Sequence, residues 1–276
     1  MKNRSVAKWF LPLLILAVAA GYGGVSSRLS GNGARTETFT VTRVIDGDTI
    51  GIRAKNGRKY SLRYEGIDCP EVARKNSPGD PLSEEATRLN AKLVENKTVR
   101  VRFGEQGYDR YGRLLGFVFA GETNVSAEIL RAGLATVFEM DGQDTAMMDK
   151  FRAAAKEAKK SRRGIWSGDG NFKPHESHKD FVIPQSELPS RVGERVVIRA
   201  LITGAKRKRN GMVILDTDGG AGIVIFSNAS ENFKHFGIKP RTRYKGKQVQ
   251  IAGRVSMYRG KPNIIVSHPA SIYVRK

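Results

Sequence analysis

Four acidic side chains fall at predicted turns in the first half of the sequence. Asp46 and Asp48 are separated by one glycine, and Asp68 and Glu71 follow the end of a later apolar stretch. Neighbouring strands bring such turns together, so we expect these carboxylates to lie close to one another. Carboxylate and carbonyl oxygens suit hard cations such as Ca²⁺ or Mg²⁺, whereas Zn²⁺ normally takes His or Cys ligands. The residue types therefore predict an open site for a divalent cation.

Two arginines are interleaved with these acids. Arg63 lies on the third predicted strand, and Arg113 follows a turn that begins at Asp109. A guanidinium group pairs bidentately with phosphate oxygens and stays charged near neutral pH. A cation and two arginines would offset charge on a reacting phosphate, and Glu71 would accept a proton from the attacking water or orient it. Taken singly, an Asp-Gly-Asp turn, a strand arginine and a loop glutamate each also have a purely structural interpretation.

Cysteine has no catalytic part in this prediction. Cys69 is the one cysteine of the sequence, so neither a disulfide framework nor a cysteine-based metal cluster is available to the chain. A catalytic thiol needs an activating base, and no histidine precedes His175.

The segments that position the acids and arginines have the pattern of a small β-barrel with helices. Runs of β-branched and apolar residues are separated by Asp-Gly-Asp and Asn-Gly, which are turn signals. The predicted strands are 38–45, 49–54, 58–67, 99–103 and 114–120. The predicted helices are 83–96, 124–132 and 144–163.

A second set of strands follows a segment rich in Pro, His, Ser and Asp. The predicted strands are 194–203, 211–217, 222–226, 248–257 and 261–267, with one short helix at 229–236. Five strands with a helix between the third and the fourth is the order of an OB-fold. The predicted fold is mainly β with flanking helices (α+β): an OB-type five-stranded barrel with helices, followed by a second, C-terminal OB-fold barrel.

The predicted domain limits follow from these patterns. They are a signal peptide or N-terminal membrane anchor at 1–25, a flexible spacer at 26–36, a first barrel domain at 37–168, a linker at 169–189 and an OB-fold domain at 190–276.

The N-terminal segment has the features of an export signal. Three basic residues precede an apolar run at 9–20, and Ala17-Val18-Ala19 fits a processing site. An uncleaved anchor remains the alternative, because the weakly polar stretch extends to Val25, about 17 residues, the lower limit for spanning a membrane. In either case we expect the remainder to be extracytoplasmic: secreted, periplasmic or tethered to the membrane through the N-terminus.

The order of the motifs closely resembles that of the thermonuclease family, the staphylococcal nuclease-like domains. The matching strings are Val44-Ile45-Asp46-Gly47-Asp48-Thr49-Ile50, Leu62-Arg63, Gly66-Ile67-Asp68-Cys69-Pro70-Glu71 and Asp109-Arg110-Tyr111-Gly112-Arg113. Later landmarks of the family match Gly133-Leu134-Ala135 and Gly164-Ile165-Trp166-Ser167. The resemblance covers about residues 38–167 and includes every position of the active-site pattern.

The resemblance implies a Ca²⁺-dependent phosphodiesterase with one ion per domain, which cleaves DNA and RNA to leave a 5′-hydroxyl and a 3′-phosphate. Asp48 and Asp68 would bind the ion through their carboxylates, and Cys69 through its backbone carbonyl. Asp46 would hold a water molecule beside the ion.

The same resemblance assigns roles at the phosphate. Arg63 and Arg113 would hold the scissile phosphate, and Glu71 would be the general base or would orient the attacking water. Tyr111 would contact the neighbouring phosphate.

The sequence departs from the type member of the family near the position of the base. Cys69 replaces a threonine, and the aromatic residues that follow Gly-Leu-Ala in that member are absent. Glu139 and Asp141 stand near those positions, and a carboxylate cannot stack on a base. Stacking of one base on an aromatic ring contributes ~1–3 kcal/mol, so base preference is expected to differ. Phe138 is either a substitute ring or a core residue.

Charge is distributed unevenly between the two barrels. The 48 Lys and Arg against 27 Asp and Glu give a net charge of +21, which indicates an anionic partner such as nucleic acid or an anionic membrane. Residues 1–180 contribute 30 basic and 22 acidic side chains, a net +8, and residues 181–276 contribute 18 and 5, a net +13. The second barrel is therefore the more basic part.

The second barrel resembles nucleic-acid-binding OB-folds over about residues 190–273. Tyr258, Arg259 and Lys261 place a ring beside two cations at a predicted loop, and a run of four basic residues, 206–209, is predicted on another loop. Such loops bind phosphates, and an exposed tyrosine stacks on bases. The alternatives are a solvated surface, or an OB-fold that binds oligosaccharides or proteins.

Two functions follow from these patterns. The first is an exported Ca²⁺-dependent nuclease whose second barrel binds the DNA or RNA. The alternative is a catalytically weak nucleic-acid-binding or tethering protein built on the nuclease barrel. The missing aromatic residues favour the alternative, whereas the complete set of acids and arginines favours the enzyme.

Overall fold

Short stretches of β-branched and aromatic residues form the strands of two successive β-barrels. The computed structural model describes residues 35–104, 107–109, 111–139 and 142–275. The predicted signal or anchor segment, most of the predicted spacer and Asp141 lie outside the described residues. No helix within the described ranges has the length and apolar character needed to cross a membrane.

Five strands of the first barrel form a closed sheet. The strands of this part of the chain are β1 (Thr36–Val44), β2 (Thr49–Arg53), β3 (Lys59–Tyr64), β4 (Ile67–Asp68), β5 (Thr98–Arg102), β6 (Leu114–Ala120), β7 (Thr123–Asn124) and β8 (Thr136–Val137). The sheet order is β3-β2-β1-β5-β6, and parallel pairing of β3 with β6 closes the barrel. β4 and β8 form a separate two-stranded ladder.

Three helices cover the first barrel. They are α1 (Ser83–Val94), α2 (Val125–Arg131) and α3 (Thr145–Lys160). Asn124 and Asp144 cap α2 and α3 by accepting backbone hydrogen bonds at 2.9 and 2.8 Å. α3 buries one apolar face against the barrel, and the ring of Phe151 meets Phe117 of β6 edge to face with centroids 5.9 Å apart. This face fixes the helix on the barrel wall.

The second barrel has the same strand order as the first. Its elements are β9 (Arg195–Arg207), β10 (Val213–Thr217), β11 (Gly222–Ile225), α4 (Ser230–His235), α5 (Pro240–Arg243), β12 (Gln248–Tyr258), β13 (Lys261–Ile265) and β14 (Ile272–Val274). The sheet order is β13-β11-β10-β9-β12, β13 pairs with β12 to close the barrel, and β14 adds to β12. In both barrels the third strand pairs in parallel with the fifth.

The fold prediction is confirmed, with corrections at single elements. Two five-stranded barrels with flanking helices are present, and each carries helix between its third and fourth strands. The basic run 206–209 was placed on a loop, and this is wrong for its first half, because Lys206 and Arg207 continue β9 and pair with Ile214 and Val213 of β10. The pattern did not predict α5 or the short strands β7, β8 and β14.

The segment between the barrels is ordered and packed. It contains 3-10 helices at Glu176–Phe181 and Gln185–Arg191, and Leu188 is fully buried in the second core. His178 Nε2 lies 2.9 Å from the carbonyl oxygen of Gly79, and Ser177 Oγ accepts the Gly79 N–H at 2.9 Å. The segment therefore attaches to the first barrel as well as to the second. The domain limits themselves stay a prediction.

An aromatic cluster joins the two barrels. Trp166, fully buried, meets the rings of His268 and His235 from the second barrel edge to face at 5.2 and 5.6 Å. Lys159 lies 4.4 Å from the centre of the Trp166 ring and donates to Asn232 of α4 at 3.1 Å. The end of the first domain is thus packed against the second barrel.

Candidate active site

The turn between β1 and β2 carries the first two acids at the end of the barrel. Asp46 accepts the backbone N–H of Asp48 at 3.2 Å, which closes the turn locally. A side chain at Gly47 would meet Cys69 Cβ and Ala86 Cβ at 2.8 Å, closer than real Cβ atoms approach one another. Glycine is therefore required between the two acids, because it lets the turn pack against the segment that carries Asp68.

Arg63 joins the carboxylates of the two segments. Its Nη1 lies 3.0 Å from Asp48 Oδ2, and its Nη2 lies 3.0 Å from Asp68 Oδ1. Nη1 also donates to the carbonyl oxygens of Tyr64 and Ile67 at 3.0 and 2.9 Å. The guanidinium plane is thus fixed by backbone and by carboxylates together. The sequence prediction that these residues converge is what the structure shows.

Burial changes the acid–base properties of this pair. Burial raises the pKa of Asp48, although Arg63 opposes the increase, and the nearby carboxylates of Asp46 and Asp68 add to it. Burial lowers the pKa of Arg63, but Asp48 and Asp68 outweigh this and hold the pKa above its ordinary value. Asp48 also accepts the Cys69 N–H at 2.8 Å and the Thr49 hydroxyl at 3.1 Å.

Asp46 is held by residues that the sequence analysis did not single out. Its Oδ2 lies 2.8 Å from Arg74 Nη2, and its backbone carbonyl accepts a hydrogen bond from Asn90 Nδ2 at 2.8 Å. Asn90 is fully buried on α1 and also accepts the Tyr64 hydroxyl at 2.8 Å. The sequence did contain a signal for Asn90, because it is a single polar residue on the apolar face of a predicted helix. Arg74 lies in an irregular segment whose sequence gave no comparable signal.

Glu71 lies beside the acids on a loop that Asp80 braces. Asp80 Oδ2 accepts the Glu71 backbone N–H at 3.1 Å, and the Asp80 N–H donates to the Glu71 carbonyl at 2.7 Å. Burial raises the pKa of Glu71, and the charge of Asp68 adds to the increase while Arg195 opposes it. A carboxylate with a raised pKa is a better proton acceptor than an ordinary surface glutamate. Asp80 was missed because it lies in a segment without a periodic pattern.

Two arginines of the second barrel reach this loop. Arg195 forms an ion pair with Asp80, and Arg254 Nη2 lies 3.7 Å from Glu71 Oε1. Nothing in the sequence pattern connects these residues with the acids, because their meeting depends on how the two barrels pack.

Arg113 lies on its own loop, close in register to Arg63. It stands two residues before Leu115, which pairs with Arg63 across β3 and β6. Its Nε donates to Asp109 Oδ2 at 2.7 Å, and its guanidinium lies 5.5 Å from the centre of the exposed Tyr111 ring. Within the described residues the ion pair of Arg113 is with Asp109 and not with the acid cluster.

The Asp109 loop is organised around one carboxylate. Asp109 accepts the backbone N–H groups of Tyr111 and Arg113 at 2.8 and 3.0 Å. Partial burial raises the pKa of Asp109, but the hydrogen bonds from Arg113 and Tyr111 outweigh it, so the pKa lies below its ordinary value. Asp109 therefore stays ionised and presents Arg113 at the barrel end.

Cys69 has the environment of a packed side chain and not of a nucleophile. Its thiol is buried, and burial raises its pKa well above the ordinary value, with Asp48 adding to the increase. A protonated thiol is a poor nucleophile.

The residues at the barrel end fit a hard divalent cation. Five acids, Asp46, Asp48, Asp68, Glu71 and Asp80, are accompanied by four arginines, Arg63, Arg74, Arg195 and Arg254, so negative charge is in excess by one. Part of the increase in the Asp48 pKa comes from the other carboxylates, an unfavourable interaction that a bound cation would relieve. Within the described residues no group of three or more His, Cys, Asp or Glu side chains is placed to hold a metal ion. The predicted donor set, two carboxylates and a backbone carbonyl, is that of an open site and stays a prediction.

The region predicted to lie near the base is partly neutralised. Glu139 Oε1 lies 2.5 Å from Arg152 Nη1 on α3. The neighbouring Phe138 is 45% exposed and donates its N–H to the Gly66 carbonyl at 3.0 Å. Phe138 is therefore a surface ring beside the site and not a core residue.

The residues predicted to bind substrate on the second barrel lie on the β12–β13 hairpin. Tyr258 pairs with Lys261, and Arg259 and Gly260 both have positive φ, 50° and 73°, as a two-residue type I′ turn requires. Tyr258 is 64% exposed, and the Arg259 guanidinium lies 5.4 Å from its ring centre. The ring and the cations share one surface.

Comparison with known proteins agrees with this geometry. Residues 61–168 match the family model described as "Staphylococcal nuclease homologue". The thermonuclease of Staphylococcus hyicus is 35% identical over 134 residues, which are 49% of this chain and 78% of that protein. The chain belongs to the staphylococcal nuclease homologue family. The resemblance inferred from the motifs is thereby confirmed.

Two further relatives support the assignment to the staphylococcal nuclease homologues. The thermonuclease of Staphylococcus intermedius is 31% identical over 172 residues, 60% of this chain and 99% of that protein. Endonuclease YncB of Bacillus subtilis is 36% identical over 142 residues, 51% of this chain and 67% of that protein. The protein is an enzyme, a phosphodiesterase of the endonuclease type, and the family uses a metal ion. The roles of individual residues stay predictions.

Proposed function

We propose that the protein is an exported Ca²⁺-dependent nuclease that hydrolyses DNA or RNA, and that its second barrel binds the polymer. The observation that carries this proposal is the ion-paired arrangement of Arg63 with Asp48 and Asp68 beside Glu71. The names of the relatives, thermonuclease and endonuclease, support a nucleic acid substrate.

In the proposed chemistry one carboxylate acts on the attacking water and two arginines bind the phosphate. Glu71, with its raised pKa, accepts a proton from the water that attacks phosphorus, or orients that water. Arg63 and Arg113 bind the phosphate oxygens, and the fixed plane of Arg63 needs little reorganisation as charge develops. Cleavage of the bond between phosphorus and the 5′-oxygen leaves a 5′-hydroxyl and a 3′-phosphate.

Ca²⁺ is the proposed cofactor, held by Asp48, Asp68 and the Cys69 carbonyl, with Asp46 placed to bind an adjacent water. When bound, the cation offsets negative charge on the phosphate. Oxygen donors without histidine or sulfur favour Ca²⁺ or Mg²⁺ over Zn²⁺.

The second barrel is proposed to hold the polymer through Tyr258, Arg259 and Lys261. Tyr258 supplies an exposed ring on which a base stacks, and the two cations contact phosphates. Tyr111, exposed beside Arg113, is the proposed contact for the phosphate next to the scissile one.

The proposed location is outside the cytoplasm. The basic start, the apolar run at 9–20 and the Ala17-Val18-Ala19 pattern support export. Retention at the membrane through an uncleaved N-terminus is the alternative, and the mass of the mature protein distinguishes the two. A mature protein that begins after about residue 20 indicates cleavage.

The catalytically weak binding protein is the second candidate function. It is favoured by Glu139, which occupies a position where the resemblance leads us to expect an aromatic ring. The pairing of Glu139 with Arg152 weakens that argument, because the ion pair reduces repulsion of phosphate.

A cleavage assay on circular single-stranded DNA tests the proposal. We expect the purified protein to linearise and degrade the circle with Ca²⁺, and a chelator to stop the reaction. The Glu71→Gln variant should be slower by at least about a hundredfold, a typical effect of removing a general base. Arg199→Ala, which removes a surface charge from the second barrel, is the matched control. Binding with no cleavage in Ca²⁺, Mg²⁺ or Mn²⁺ would instead establish the second candidate.

The ends of the fragments test the bond that is cleaved. A 5′-hydroxyl accepts labelled phosphate from a polynucleotide kinase without prior phosphatase treatment. Fragments that need phosphatase first would contradict the proposed products.

A further inference from the structure

Arg254 of β12 points at the catalytic loop of the first barrel. Its Nη1 donates to the Gly193 carbonyl of its own barrel at 2.7 Å, and its Nη2 lies 3.7 Å from Glu71 Oε1. The second distance is longer than a hydrogen bond. The backbone of the second barrel therefore positions this guanidinium, and one edge of the group faces Glu71.

Arg195 is the cross-strand neighbour of Arg254 but has a different environment. The two residues are register partners on β9 and β12. The Arg195 side chain is 14% exposed and forms an ion pair with Asp80, which in turn braces the Glu71 backbone. The Arg254 side chain is 39% exposed, and its ion-pair contact is the long one with Glu71. Arg195 thus fixes the loop, whereas Arg254 is a cation accessible to substrate.

The outer face of β12 leads from Arg254 to the exposed hairpin. Side chains alternate along a strand, and Val255 points into the core, so Arg254, Ser256 and Tyr258 share the outer face. Four residues of strand separate Arg254 from Tyr258 by about 13 Å. Arg254, beside Glu71, and the exposed Tyr258 ring therefore lie on the same face of one strand.

We propose that the outer face of β12 is a substrate track, and that Arg254 binds the phosphate next to the scissile one on the side of the second barrel. This inference rests on the proposed nuclease function. In this proposal the second barrel contributes to the active site and also provides a separate binding surface. A single-stranded nucleic acid would contact Glu71, Arg254 and Tyr258 in succession.

Substrate length separates this role from a structural one. A dinucleoside monophosphate contains only the scissile phosphate, whereas a 12-nucleotide single strand also supplies its neighbours. In the full chain, Arg254→Ala should raise KM for the 12-mer by about tenfold, the size expected for loss of one charged hydrogen-bonded contact. Its loss of kcat/KM on the dinucleotide should be about tenfold smaller than its loss on the 12-mer, because the dinucleotide lacks the phosphate that Arg254 is proposed to bind. Arg254→Lys, which keeps the charge, should recover part of the lost affinity.

Salt dependence gives a second readout that does not depend on catalytic geometry. Each phosphate contact to a single strand contributes about −0.7 to the slope of log affinity against log salt. Arg254→Ala should make the slope for the 12-mer shallower by about 0.7, and Arg199→Ala should leave it unchanged. An unchanged slope in Arg254→Ala would overturn the proposal.

A structural role for Arg254 gives a different result. If Arg254 only holds the Glu71 loop, Arg254→Ala will lower kcat for the dinucleotide and the 12-mer alike, and this outcome would also overturn the proposal. Failure of the proposed function is distinguishable, because wild-type protein would then cleave neither substrate. In that case the dissociation constant of a fluorescein-labelled 12-mer, measured in chelator, decides the proposal. It should rise about tenfold in Arg254→Ala and not in Arg199→Ala.

Discussion

The two barrels share one topology and carry opposite charges at equivalent places. The turn between the first and second strands is Asp46-Gly47-Asp48 in the first barrel, whereas in the second it contains Lys208 and Arg209. The first turn accepts hydrogen bonds and packs against the Cys69 segment. The second turn projects cations to solvent. The same chain path thus presents an acidic end in one barrel and a basic end in the other.

The third strands of the two barrels also differ in their charged residues. β3 carries Arg63, which bridges two carboxylates, whereas β11 is apolar and buried along its whole length. In the second barrel Asp216 pairs with Lys206, and just before it Glu187 and Glu194 pair with Arg191. A barrel topology therefore does not decide chemistry; a few side chains at the strand ends do.

The largest expected effect distinguishes a residue that acts in phosphodiester cleavage from residues that only bind the polymer. Arg113→Ala should lower kcat by about a thousandfold, because a guanidinium that binds a reacting phosphate contributes that order of rate. Its loop is at the surface, so the melting temperature should change little. Steady-state kinetics on the 12-mer with saturating Ca²⁺ measure the effect. A change in KM with normal kcat would mean that Arg113 only binds the polymer. The proposed division, in which the first barrel cleaves and the second binds, would then be wrong.

The second prediction concerns the cation that only the first barrel is expected to bind. Asp48→Asn keeps the size of the side chain but removes a carboxylate ligand. The Ca²⁺ concentration for half-maximal activity should rise by about a hundredfold, because loss of a ligand weakens metal binding at least as much as loss of a residue that only orients a ligand. Titration of activity with Ca²⁺ measures it, and Asp218→Asn in the second barrel is the control. Equal Ca²⁺ requirements in both variants would contradict the proposed ligand.

The third prediction concerns the holding surface. Tyr258→Ala should raise KM for the 12-mer by about tenfold with kcat unchanged, because stacking of one base contributes ~1–3 kcal/mol. Phe226→Ala removes a 45% exposed ring elsewhere on the same barrel and is the control. If both variants behave alike, the hairpin has no special place in binding.

The fourth prediction tests how firmly the barrels are joined. Burial lowers the pKa of His268 to about 3, with Lys159 and His235 adding to the effect. In the unfolded chain the imidazole has its ordinary pKa near 6.5, so the unfolded state binds the extra proton first as pH falls. The contribution to stability is complete above about pH 6.5 and is lost by about 1.4 kcal/mol per pH unit down to about pH 3.

Denaturant unfolding of wild type and His268→Asn at pH 7 and pH 5 measures this contribution. The free energy of unfolding of wild type should fall by about 2 kcal/mol more than that of the variant between the two pH values. Asparagine keeps an acceptor for the Ala270 N–H, which His268 Nδ1 now accepts at 3.1 Å. Equal pH dependence in the two proteins would show that the imidazole is not buried in solution.

The smallest effect is expected at Cys69. Cys69→Ser should keep kcat within about twofold, because the proposed ligand is the backbone carbonyl and the thiol is buried and protonated. Cleavage rates at equal Ca²⁺ measure it. A large loss of activity with normal stability would assign the thiol a chemical role.

Local pattern was sufficient to predict most of the strands and the acids of the site. Turn signals and alternating apolar residues place β2, β3 and β6 within a few residues of their observed limits, and the ordered motifs connect Asp48, Arg63 and Glu71. The basic run at 206–209 was misplaced because charge suggested a loop, whereas pairing with β10 extends β9 through Arg207. Tertiary pairing overrode local composition there.

The meeting of Glu71 with Arg254 could not be predicted from the sequence. The two residues belong to different barrels, and their proximity depends on the aromatic junction around Trp166 and on the docking of Arg195 against Asp80. Such contacts leave no periodic signal, because each strand retains the pattern of its own barrel. Asp80 and Arg74 were missed for a related reason, since both act from irregular segments.

The pairing of β12 has a consequence for the entropy of binding. Every residue of β12 has a register partner, on β9 from Gln248 to Arg254 and on β13 from Arg254 to Tyr258. A surface on such a strand is already ordered, so little conformational freedom is lost there when a polymer binds. The ordering cost then falls mainly on the nucleic acid. Because β12 has a fixed length, it would set the distance between the stacked base and the phosphodiester bond that is cleaved.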